Sequence, residues 1–278
     1  MLYLFEMLVF FGSLIYATIA LIQWYSALFR SRIAPIHSGI RLTLTLLPPA
    51  ALMIIVWILR NLASFDVVED GFYLLLYIAL GLAWSFVGCI IMFAVFDLSR
   101  TDDLIAVSNP AATVPFACGF LAMTLIYAGA NIGDGPGCWC VLLAGGLGVL
   151  TWFALGYAFH LLTGASERTT VDRNTATGIR TGAFLLGSGL IIARASAGDW
   201  TSFLDTIVEF MVGWPVLIFA VVAILIEQIF RRPSVNEFGE LRKQRNLLPS
   251  VLIGIIYLAA AVVIVYLLPP MVENPMYG

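Results

Sequence analysis

Charge is what this sequence has least of. Asp, Glu, Lys and Arg make up 11% of its 278 residues, whereas 61% are hydrophobic and the mean hydropathy is +0.99. A soluble domain carries about 25% charge, so a cytosolic globular protein is excluded. Fourteen basic against seventeen acidic residues give a net charge of −3, which offers no basic surface to nucleic acid. Apolar content this high along the whole length also excludes a disordered chain. Histidine and cysteine are scarce too, at two and four residues. A zinc site needs about four ligands in one place, and the order of spans separates Cys89, Cys118, Cys138 and Cys140 from the histidines. A haem held by two histidines needs both inside facing spans, and His37 lies in a link, away from His160. A Cys138–Cys140 disulfide would be strained at that spacing, so reduced cysteines are expected. No phosphate-cradling glycine loop, nucleophile elbow or zinc-helix motif is present. The expectation is a protein that is not an enzyme and holds no cofactor and no metal.

Long apolar runs are what the sequence does have. A spanning helix needs about 20 mostly apolar residues. That rule finds eight, at about 2–29, 41–62, 71–96, 109–131, 137–163, 174–197, 203–230 and 248–269. The first lacks the basic start and cleavage site of a signal peptide and reads as a retained span. Pro48, Pro49, Pro110, Pro115 and Pro215 lie in or near spans and are read as kinks whose freed carbonyls neighbouring helices satisfy. Trp24, Tyr25, Trp57, Trp139, Trp200 and Trp214 fall near span ends and read as interfacial anchors.

The basic residues set an orientation. Twelve of the fourteen fall on or beside alternate links: Arg30, Arg32, Arg41, Arg100, Arg168, Arg173, Arg180, Arg231, Arg232, Arg242, Lys243 and Arg245. Only Arg60 and Arg194 fall near the other side. The positive-inside rule then makes those links cytoplasmic and puts both termini outside.

The middle of the chain repeats. Asn109 and Asn174, 65 residues apart, each open a span after a charged link. At that offset Ala111 matches Ala176, and Gly133-Asp134 matches Gly198-Asp199. The repeat unit is a helical hairpin. Four parallel hairpins, at about 1–65, 66–132, 133–199 and 200–278, would make one all-α polytopic membrane domain of about eight transmembrane helices. Around Arg173-Asn174-Thr175-Ala176-Thr177-Gly178-Ile179 the sequence resembles a bacterial membrane family, domain of unknown function 350. Its members look like strings of two-span hairpins whose second span opens with Asn-x-Ala. Asn109-Pro110-Ala111 follows the pattern with a proline substituted, while Leu44 replaces the Asn in the first hairpin and Asn246-Leu247-Leu248 lacks the Ala. The resemblance covers about half the chain; it implies an inner-membrane protein with no established activity and transfers no catalytic residues.

Charged groups inside spans are the candidate sites. Arg180 either snorkels back to the cytoplasmic surface, the plainer reading, or turns inward to Asp97 or Glu227. Glu209 reads first as the partner of Arg194 in a structural ion pair. The sharper reading makes Glu209 a proton or cation site, with Asp205 one turn above on the same face. Gly178, Gly182, Gly189 and Ala193 form a small-residue stripe suited to close helix packing, within the chain or between subunits. Ala144, Gly145, Gly146 and Gly148 are candidates to meet it. Between functions, the reading leans to a structural or accessory subunit in contact with membrane lipid and with other membrane subunits or its own copies. A cytoplasmic partner would dock at 231–246. The alternative is an ion or small-solute pathway through the intramembrane charges.

Overall fold

The computed structural model describes residues 2–30, 36–133, 137–198, 202–230 and 247–271. Backbone in hydrocarbon must satisfy its own polar groups, so each apolar run closes into a helix. Helix α1 is Leu2–Arg30, α2 is Ser38–Asn61, α3 is Phe65–Glu69 and α4 is Gly71–Phe96. A π-helical turn, Arg100–Ala106, leads into α5 at Pro110–Gly129. Helix α6 is Cys138–Thr163, α7 is Ala165–Thr170 and α8 is Thr175–Ala195. The last part comprises α9 at Phe203–Phe210, a 3-10 turn at Met211–Gly213, α10 at Pro215–Phe230 and α11 at Leu248–Leu267. Among the described residues eight segments are long and apolar enough to cross a membrane, with Phe203–Phe230 counted as one. The fold is therefore a polytopic all-α membrane bundle, and the expected spans match the observed ones to within a few residues. The short helix α3 was not expected. It fills the break between the second and third spans, and Asp70 then caps α4 by accepting from the Phe72 N–H.

The prolines show how local chemistry becomes packing. A proline has no N–H to return to the carbonyl four residues earlier. Pro48 and Pro49 lie inside α2 and so release the carbonyls of Leu44 and Thr45. Helix α1 answers both: the Trp24 indole N–H donates to Leu44 O at 2.9 Å, and the Tyr25 hydroxyl donates to Thr45 O at 3.1 Å. Trp24 is 1% exposed, so it is a buried clamp and not the interfacial anchor that its position suggested. Pro115, inside α5, frees the Ala111 carbonyl, against which Gly178 of α8 sits. Pro110 departs from expectation: it is the first residue of α5, where its missing N–H has no intrahelical acceptor to lose, and it starts the helix without kinking it. Pro215 starts α10 after the 3-10 turn, where the Trp214 N–H takes the Met211 carbonyl.

The helices form two rows. The second span of each expected hairpin packs on the next, α2 on α5, α5 on α8 and α8 on α11. The first spans make the other row, α1 on α4, α4 on α6 and α6 on α10. Helices α5 and α8 are the centre, with 72% and 83% of their most apolar stretches buried. A core of buried apolar side chains runs from Trp24 on α1 to Ala261 on α11. A second cluster, around Tyr77, Tyr127, Cys138 and Cys140, lies under α3. The four cysteines are free, and Cys138 and Cys140 are both buried, facing the core.

Candidate functional site

The glycine stripe explains how the centre closes. A Cβ on Gly178 would overlap the Ala111 carbonyl oxygen, and one on Gly189 would overlap Ala122. On Gly182 it would come within 2.8 Å of Val114. In return Gly129 of α5 sits against the Ala193 carbonyl of α8. The stripe of Gly178, Gly182, Gly189 and Ala193 is thus an intramolecular seam against α5. It does not meet the glycines of α6 as expected: Gly148 lies against Ile126, Ile192 and Ser196, Gly145 against Trp84 and Ala130, and Gly146 faces open space.

The two Asn-x-Ala starts are held by matching links. Asn109 caps α5 by accepting from the Ala111 N–H at 3.0 Å, and Asn174 caps α8 by accepting from the Thr177 N–H at 3.1 Å. The backbone bonds Asn109 N to Asp103 O and Asn174 N to Arg168 O, both 2.8 Å, recur at the same offset of 65 residues. So do the left-handed residues Ser108 and Arg173, at φ 50° and 51°. Asn109 does one thing more. Its amide donates to Thr169 O at 2.9 Å, so the start of one repeat grips the short helix before the next. Ala111 and Ala176 are both buried in that contact region. In the first of these links, burial holds the Asp103 carboxyl above its ordinary pKa, assisted by Asp97 and Asp102 and opposed by the Ser99 N–H and Arg173.

Against this frame stands a cluster of charge. Helix α6 ends at Gly164, whose φ of 65° suits glycine, and the reversal sends Arg168 on α7 back toward the bundle. The cap at Asn174 fixes where α8 begins, which points Arg180 inward. Glu227 approaches on the last turn of α10. The Arg180 Nε donates to Glu227 Oε2 at 2.6 Å and its Nη2 to Oε1 at 2.7 Å, a bidentate pair. Arg168 Nη2 donates to the same Oε1 at 2.8 Å. The remaining arm of Arg180 donates to the Ser250 hydroxyl of α11 at 2.6 Å, and Phe230 stacks under the guanidinium at 4.6 Å. Arg180 is 1% exposed and Glu227 fully buried, so the snorkelling expected of Arg180 does not occur. Of its two candidate inward partners, Glu227 is the one. Asp97 instead ends α4 in a left-handed turn, exposed. Neither the Arg168 contact nor Ser250 was foreseen, and only Ser250's place among apolar neighbours hints at it in the sequence.

The other expected site does not assemble as drawn. Arg194 donates to the carbonyl of Pro269, tying the end of α8 to the end of α11, and its expected pair with Glu209 is not formed. Asp205 is exposed and acts in a capping arrangement, with Ser202 accepting from its N–H and donating to its carboxylate at 2.6 Å. Glu209 is half-buried near the end of α9. Both described ion pairs, then, belong to Glu227. No group of three or more His, Cys, Asp or Glu placed to hold a metal occurs among the described residues. The proposed docking link 231–246 lies outside the described residues, as do Asp134, Asp199 and Trp200.

Chemically, this cluster gathers two guanidiniums and the Ser250 hydroxyl about one buried carboxylate. What it does is tie α7, α8, α10 and α11 to one carboxylate. Compared with known families, residues 135–268 match the model described as Domain of Unknown Function (DUF350), which bears out the resemblance over that stretch. Arg168, Arg180, Glu227 and Ser250 all lie inside it. No curated protein and no solved structure matches the chain.

Proposed function

From a chain whose residues 135–268 match a membrane family of unknown function, we propose a structural or accessory subunit of a bacterial inner-membrane complex that carries out no catalytic step. The observation that carries this reading is the Arg180–Glu227 pair. Charges kept for transport face a water-filled path or the ion they handle; these face one another, at 1% and 0% exposure. The seam between α5 and α8 supports it, because direct backbone contact at Gly178 and Gly129 leaves no lumen between the two central helices. The reading gives the exposed apolar faces of α1, α10 and α11 to lipid and to neighbouring membrane subunits or further copies. It assigns a cytoplasmic partner to 231–246.

The alternative, an ion or small-solute pathway, draws on one feature: the charged groups Arg168, Arg180 and Glu227 gather at one end of the central helices. Two measurements separate the readings. Purified protein in proteoliposomes should pass protons and chloride no faster than empty liposomes, and native mass spectrometry from gently solubilised membranes should find it with other subunits at fixed stoichiometry. Flux that Glu227→Gln or Glu209→Gln removes while the thermal melt persists would overturn the accessory reading, and a homo-oligomer with no other protein would favour the pathway.

A further inference from the structure

A groove runs between α1 and α4 and ends at the π-helical turn. Its wide end, about 370 Å³, is lined by Gln23, Trp24, Phe86, Cys89, Arg100 and Asp102, among others. A second cavity of about 360 Å³ continues from it at Tyr16, reaching Gly12, Ser13 and Trp84, and its walls are almost wholly apolar. From Trp24 to Gly12 is twelve residues of helix, or about 18 Å at about 1.5 Å each. That is close to one leaflet of a hydrocarbon core about 30 Å thick. The groove therefore has the length of one acyl chain and lies alongside the leaflet whose headgroups meet Arg100.

Arg100 is the unusual residue here. It is half-buried, and among the described residues its guanidinium has no carboxylate and no hydrogen-bond acceptor. Its contact is the face of Trp24, 4.6 Å from the ring centre, and Trp24 is itself fixed by the Leu44 carbonyl. Burial lowers the pKa of Arg100 from the ordinary arginine value, and Cys89 opposes the shift. The same rim carries the exposed carboxylate of Asp102, held by the Ser99 hydroxyl at 2.9 Å. One cation and one anion side by side suit a headgroup that carries both charges.

We propose that the α1–α4 groove binds one zwitterionic aminophospholipid of the phosphatidylethanolamine class. Its phosphodiester meets Arg100, its ammonium faces Asp102, and an acyl chain lies along Tyr16, Val87 and Ile91 toward Trp84. The proposal goes beyond the accessory reading and does not depend on it.

The test is native mass spectrometry of the full chain in detergent, dosed in turn with phosphatidylethanolamine, phosphatidylglycerol and diacylglycerol of identical chains. One phosphatidylethanolamine per chain should be retained, about fivefold over either competitor, the scale of one partly exposed charge pair. Arg100→Gln should lower the preference over diacylglycerol, and Asp102→Asn should bring phosphatidylethanolamine down to phosphatidylglycerol. Gly12→Phe, at a position where an added Cβ meets nothing within 4 Å, should obstruct the chain without disturbing the fold. Its unchanged thermal melt keeps the test valid if Arg100→Gln destabilises the protein. Equal retention of diacylglycerol, preference for phosphatidylglycerol, or unchanged binding in both Arg100→Gln and Gly12→Phe would overturn the proposal.

Discussion

Glu227 is the acceptor on which Arg168 and Arg180 converge, and the energetics of burial say what it contributes. Taking charges out of water is expensive, and their mutual attraction roughly offsets that expense. Such a cluster adds little net stability while intact and much instability when broken. Glu227→Ala leaves two guanidiniums without their carboxylate, a loss of about 3–5 kcal/mol if the charges stay buried. The expected outcome is a clear drop in the melting temperature in detergent, and an unchanged melt would show that water reaches the site. Ser250→Ala, which removes a single hydrogen bond to a charged group, should lower the melt less, by about 1.5–3 kcal/mol at most. The residue types were visible in the sequence, and Glu227 was one of two inward partners available to Arg180. The choice between them was not visible. Asp97 and Glu227 are both acids near the ends of spans, and only the left-handed end of α4 turns Asp97 away.

Elements are joined in this bundle by replacing what prolines remove. The pairing of Trp24 with Leu44 O and of Tyr25 with Thr45 O ties α1 to α2 at the two carbonyls that Pro48 and Pro49 release. Trp24→Phe keeps the aromatic contacts with Phe86 and Phe120 but leaves the Leu44 carbonyl buried without a donor. It should cost about 1–3 kcal/mol. In a Pro48→Ala background the alanine N–H can take that carbonyl, so the same substitution should cost clearly less. A double-mutant cycle on thermal stability measures the difference, and a coupling of zero would show that the indole N–H does not serve the proline. That carbonyls would need outside donors was readable from the prolines. Which side chains would supply them was not, because Trp24 and Tyr25 look like membrane-belt residues until α2 is seen beside them. The glycine stripe behaved likewise. Its spacing on α8 announced a close neighbour, but any helix with small residues could have been that neighbour. The reciprocal contacts at Gly178 and Gly129 select α5, the other helix that opens with the Asn-x-Ala pattern.

At the scale of the whole molecule, the charge bias predicts the side on which each end of the bundle lies. Arg41, Arg100, Arg168 and Arg173 lie at one end of the spans, and Arg60 and Arg194 at the other. In a background with the four native cysteines replaced by alanine, Asn61→Cys should react with a membrane-impermeant maleimide added to intact cells, and Arg173→Cys should react only after lysis. The reverse pattern would invert the topology. Eight spans and their limits followed from the sequence alone, because the length of an apolar run is a local property and the hydrocarbon thickness sets it. The offset of 65 residues was equally local, and it reappears as equal backbone hydrogen bonds at Asn109 and Asn174. Pairing between distant residues was left to the tertiary structure. Arg194 reaches Pro269 and not Glu209, Arg180 and Arg168 share Glu227, and Arg100 lies over Trp24 at the mouth of a groove. The physical reason is reach. A span boundary depends on about 20 neighbours in the chain, whereas the partner of a buried charge depends on which helices become adjacent, and in this bundle the glycine seam and the proline carbonyls decide that.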